Sequence, residues 1–172
     1  MTTLVLTAIG ADRSGIVNAL AEVVARHDGN WERSQMAELA GAFAGIIVVT
    51  VPDDRAADFT AAVAALPDLT TAVRDVDARE AIEPDELVTV ELLGNDRPGL
   101  VRELTSIFAG HDLSIEQFES ASYDAPMAGG RLFEAQLVVP ILPTTDTDAL
   151  RDDLEKLALE LMVDITVEAH DD

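Results

Sequence analysis

Two stretches of seven residues, Gly10-Ala11-Asp12-Arg13-Ser14-Gly15-Ile16 and Gly94-Asn95-Asp96-Arg97-Pro98-Gly99-Leu100, follow one pattern at an offset of 84. Each runs into an apolar stripe with helical spacing, so each marks the start of a helix. The first backbone N–H groups of a helix have no intrahelical acceptor and sit at the positive end of its dipole, which makes a seat for an anion the size of a carboxylate. Gly15 and Gly99 remove side chains that would block close approach. Pro98, placed in the first helical turn, gives up an N–H that the helix leaves unpaired. Asp12 and Asp96 repel a carboxylate but attract an ammonium group, so a zwitterion satisfies both charges. The residues alone also support a plainer reading, in which each Asp caps its helix, contributing about 1 kcal/mol. Arg13 and Arg97 are then surface ion-pair partners of small energetic weight.

The elements that must position these stretches repeat as well. Leu4 and Leu6 align with Val88 and Val90, and Ile16, Val17, Leu20, Val23 and Val24 align with Leu100, Val101, Leu104, Ile107 and Phe108. The first set alternates as a strand does, and the second lies on one helix face. The first helices stop at His27-Asp28-Gly29 and at Gly110-His111-Asp112, with the histidines as caps. Two extended stretches follow in each copy, 30–39 with 43–51 and 114–122 with 132–142. A second helix carries Phe59, Val63 and Leu66, or Leu150, Leu154, Leu157 and Leu161. A closing strand spans 69–78 or 162–169.

The order βαββαβ, twice, predicts an α+β protein of two ferredoxin-like units, each an antiparallel sheet with helices on one face. The expected domains are 1–80 and 86–172, joined by the charged, Pro84-containing segment 77–85. One face of each sheet is left bare in units too small to leave much apolar surface in water, so a homodimer or pairing of the units is expected.

Composition narrows the function. The 172 residues carry 33 acidic and 11 basic side chains, a formal charge of −22, and no cysteine. Thiolate metal sites, Fe–S clusters, disulfides and a Cys nucleophile are excluded. Ten arginines and a single Lys156 supply no basic patch for phosphates, so no direct contact with nucleic acid is expected. The longest uncharged stretch, 39–52, is too short for a membrane span. A soluble, cytoplasmic protein is expected. The near loss of lysine and the excess of Asp over Glu resemble surfaces that work in concentrated salt. His27, His111 and His170 are dispersed, and no lysine follows Gly10 to Gly15 as a phosphate loop requires. Asp146, Asp148, Asp152 and Asp153 lack the spacing of a Ca²⁺ loop and suit the start of the last helix. No catalytic residue, cofactor or metal site is expected.

The doubled Asp-Arg-Ser/Pro-Gly-Ile/Leu-Val motif within βαββαβ units resembles a pair of ACT domains, regulatory modules that bind amino acids. More narrowly, Ser122-Tyr-Asp-Ala-Pro-Met-Ala-Gly-Gly-Arg-Leu-Phe133 and Leu161-Met-Val-Asp-Ile165 are similar to segments of the glycine cleavage system transcriptional repressor family, tandem ACT proteins without a catalytic domain. The resemblance implies a ligand site where the strand-to-helix loop of one domain meets a neighbouring domain. On this chain it comprises Gly10 to Ile16 and Gly94 to Leu100, joined by the start of the second strand at Asn30 and Ser114. Asn30 offers an amide to a ligand's polar atoms, whereas Ser114 is shorter. Ser14 stands where the family has Pro, and Asn95 stands where the first copy has Ala11, so the loops need not bind equally. A small amino acid, glycine or serine, and a partner protein such as a transcription factor are implied. The alternative is a ligand-independent interaction module of a metabolic enzyme or transcription factor. The extra residues 123–130 make either a surface loop or a lid or docking element, Tyr123 and Met127 suiting a contact surface.

Overall fold

The computed structural model describes residues 1–76, 86–125 and 129–170. Strand β1 (Thr2–Ala11) buries Leu4, Leu6 and Ala8 on one face. Helix α1 (Ile16–Arg26) lays Ile16, Leu20, Val23 and Val24 against them, and β2 (Asn30–Leu39) and β3 (Ala42–Val51) follow. A short 3₁₀ turn leads to α2 (Ala56–Ala64), whose Phe59 and Val63 are fully buried, and β4 (Leu69–Asp75) closes the unit. The sheet order is β2-β3-β1-β4, antiparallel throughout, with the apolar core between the sheet and its two helices.

The second unit repeats the plan with β5 (Glu86–Asn95), α3 (Leu100–Gly110), β6 (Gln117–Asp124), β7 (Arg131–Ile141), α4 (Thr147–Leu161) and β8 (Asp164–Ala169). Its order is β6-β7-β5-β8, and its core gathers Val90, Leu92, Leu104, Phe108, Leu137 and Leu154. The chain divides into two compact units at Arg79 and Glu80. The segment read as a linker, 77–85, lies outside the described residues, as do Pro126, Met127 and Ala128 of the extra loop.

Four strand ends differ from the sequence reading by two residues or more; one is the end of β6, which runs on past Ser122 through Tyr123 to Asp124, two residues expected in the extra loop. The strand expected from Ser114 starts at Gln117, because Leu113, 7% exposed, and Ile115 point into the core rather than extend the ladder. The strand expected from Met162 starts at Asp164, since Met162 takes a left-handed conformation (φ 53°) that ends α4. The strand expected to run to Ala78 leaves its ladder after Asp75, and Ala78 is outside the described residues.

Candidate functional site

In both units the sheet gives way to the first helix through the same backbone device. The N–H of Asp12 donates to the Gly41 carbonyl at 2.8 Å, and that of Asp96 to the Arg131 carbonyl at 2.8 Å, closing the ladder. The residue at each helix start is then Gly15 or Gly99, with φ of 91° and 98°, a region that L side chains disfavour. The first helical bonds run from Ala19 N–H to the Gly15 carbonyl, 2.9 Å, and from Glu103 N–H to the Gly99 carbonyl, 3.0 Å. The N–H groups of Ile16, Val17 and Asn18, and of Leu100, Val101 and Arg102, precede those bonds and have no acceptor within their own helix.

This geometry revises several sequence expectations. Neither Asp12 nor Asp96 caps its helix, because a glycine occupies the cap and no side chain bonds the first turn. Gly15 does not clear space, since a Cβ there would touch nothing within 4 Å; the left-handed φ is what calls for glycine. Pro98 stands before the cap, two residues ahead of Leu100, rather than in the first turn. Gly10 and Gly94 are where space is short: a Cβ would collide with the Asp68 carbonyl oxygen at the first and with Val163 Cγ1 at the second. Ile16 and Leu100, each 2% exposed, anchor the helices in the core. Ala11 and Asn95 pair with Ala42 and Leu132 at the ends of their strands.

The two corners differ in what fills them. At the second, Arg97 donates to Glu103 through both terminal guanidinium nitrogens, one contact at 3.3 Å, and Glu103 Oε1 lies 3.5 Å from where a Gly99 Cβ would be. The chain thus sets its own carboxylate against the helix start. Arg131 Nε approaches Asp96 at 3.5 Å, engaging the other acid of the corner. At the first corner the residue matching Glu103 is Ala19, and the first turn of α1 holds no acid. Arg13 turns away to the Pro67 carbonyl, 3.4 Å, and Asp12 and Ser14 are exposed. Sequence reasoning missed Glu103; the signal was the Ala19/Glu103 mismatch at the repeat offset.

Asn30 and Ser114 do not join the corner of their own unit. Asn30 pairs with Thr50, which pairs with Thr3, so it stands at the opposite end of the sheet, eight residues or about 26 Å along β1 from Ala11. Its amide donates to Glu32 Oε1 at 2.9 Å, beside the Thr50 hydroxyl at 2.8 Å. These hydrogen bonds, Thr50's first, hold the Glu32 carboxyl below its usual pKa. Ser114 lies in the loop before β6 at the corresponding far end.

His27 and His111 occupy the C-caps of α1 and α3. His27 Nδ1 lies 2.7 Å from the Val23 carbonyl with its ring edge-on to Phe59, and His111 Nε2 lies 3.1 Å from Asp153. Asp146 caps α4 by accepting from the Ala149 N–H at 3.0 Å. Among the described residues no group of three or more His, Cys, Asp or Glu side chains is arranged to hold a metal, and no helix is long and apolar enough to cross a membrane.

Two four-stranded βαββαβ units, each with a glycine-capped corner, define a tandem small-domain protein. The ACT domain profile matches residues 2–72 and 86–168, and the chain belongs to that family. It is 26% identical over 164 residues to the glycine cleavage system transcriptional repressor of Escherichia coli, covering 92% of this chain and 85% of that one. Among solved structures, an unknown protein from Galdieria sulphuraria is similar at TM-score 0.88 and 27% identity, over 99% of each chain. A structure assigned provisionally to the glycine cleavage system transcriptional repressors has the same fold, with TM-score 0.69 at 19% identity over 99% of this chain and 98% of that one.

Proposed function

We propose that this chain is a non-catalytic regulator, built of ACT domains 1–80 and 86–172, that binds a small amino acid and passes its occupancy to a partner protein. The observation that carries this reading is the open first corner. There the start of α1 holds no carboxylate of the chain's own in its first turn and leaves open space beside Gly15, while Asp12 stands by for an ammonium group. Glycine or serine is the amino acid assigned to this seat, and the similarity to a glycine cleavage system repressor supports control of that system through a transcription factor. The low count of basic residues favours action through another protein rather than on DNA.

The second corner favours a different role for its unit. With Glu103 held against Gly99 by Arg97, it is satisfied without a ligand, as a structural module would be. The reading therefore assigns one amino acid per chain. Titration calorimetry in molar KCl against glycine, serine and the other amino acids tests it. One heat-producing site per chain is expected, weakened about tenfold or more, a loss of 1.4 kcal/mol, by Ala19→Glu. Silence with all twenty at millimolar concentration refutes sensing and leaves the ligand-independent module.

A further inference from the structure

The solvent-facing sides of the two sheets occupy equivalent positions yet carry opposite chemistry. Across the first sheet one row reads Arg33, Val48, Val5 and Arg74, and the next places Ile46 beside Thr7. Ile46 and Ile9 are each 52% exposed, and among the described residues the one carboxylate at the edge of this face is Glu32, whose Oε1 accepts from Thr50 and Asn30. In the second sheet the position of Ile46 holds Gln136, that of Thr7 holds Glu91, that of Ala44 holds Glu134, and that of Arg74 holds Glu168. Glu91, Glu119 and Glu134 ring a shallow depression of about 250 Å³ that also includes Ala121 and Ala135.

On a chain of charge −22, the second face carries carboxylates where the first carries arginine and small or aliphatic residues, while Leu93, 40% exposed, keeps the apolar character of Ile9 at its position. Stacking the first face on its own copy would set two arginines of each chain, Arg33 and Arg74, against one glutamate of each, Glu32, and bury positive charge without a match, an expensive arrangement. We infer that the first sheet's open face docks on the second sheet's acidic face in another copy of this chain. Ile46 then enters the depression beside Ala121 and Ala135, and the two arginines reach the surrounding glutamates, arginine being suited to interface ion pairs. Reciprocal use of both faces closes the assembly at two chains.

The chain has no cysteine, so single engineered thiols report this pairing without background. Stacked sheets lie about 10 Å apart, beyond disulfide reach, so a short bismaleimide is the probe. Chains carrying Thr7→Cys are mixed with chains carrying Gln136→Cys and cross-linked. Mixed dimers are expected, together with a two-chain mass for the unmodified protein by sedimentation equilibrium. Ile46→Asp is expected to retain its circular dichroism spectrum while weakening the dimer about tenfold or more. A monomeric unmodified protein overturns the inference. So do Thr7→Cys chains that link only to each other, a mixture that yields no mixed dimer, or a dimer indifferent to Ile46→Asp.

Discussion

Four glycines that look interchangeable in the repeated motif hold their places for two different reasons. Gly15 and Gly99 are fixed by backbone angle, Gly10 and Gly94 by the atoms that crowd them. Asparagine tolerates the left-handed region, so Gly15→Asn is expected to destabilise by at most about 1 kcal/mol. Gly10→Ala, whose methyl would meet the Asp68 carbonyl, is expected to lose roughly 1–3 kcal/mol as other overpacked sites do. Urea unfolding of the two variants separates these values. Glu103 gives a second test at this scale: Glu103→Ala is expected to raise the calorimetric stoichiometry toward two ligands per chain, and an unchanged value shows that its carboxylate does not keep the second corner closed. The repeated motif was legible as a strand-to-helix corner because its glycines and polar residues recur between apolar patterns. The roles within it were not, because residue type does not reveal whether a glycine answers to φ or to a neighbour across the fold.

At the level of elements, the helix stripes could be read directly, since Leu20 and Leu104 recur at one offset and both are fully buried. The start of β6 could not. Leu113 and Ile115 alternate as strand residues do, yet they serve as plugs at the base of the core, and the continuous ladder begins at Gln117. Nor could the sequence show that α3 and α4 are tied by His111 and Asp153. Hydrogen bonds from Lys156, then His111, hold the Asp153 carboxyl below its usual pKa. A depressed folded value means that this contribution is present above the unfolded pKa and fades as pH falls through the folded one. Asp153→Asn is therefore expected to lower the thermal midpoint slightly at neutral pH. The gap to the parent should close in acid below the ordinary carboxylate range; a gap constant from neutral pH into that range contradicts the link.

For the whole molecule, the acidic excess that sequence alone established sets the conditions under which it folds. At about 0.1 M salt the screening length is about 10 Å, so carboxylates on neighbouring strands repel; at 1 M it falls to about 3 Å. The unfolding midpoint is expected to climb markedly from low to molar KCl, and a flat profile contradicts a surface adapted to salt. The contrast between the two outer faces was hidden in the sequence, because it needs strand register to set Ile46 against Gln136 as equivalent positions.

The strand order has one more consequence. Because Leu4 pairs with Asp75, and Val88 with Ala169, the thread leaves each sheet beside the point where it came in. A body with its doorways side by side can be copied in series, lifted out singly, or given new ends elsewhere, without unpicking a single rung.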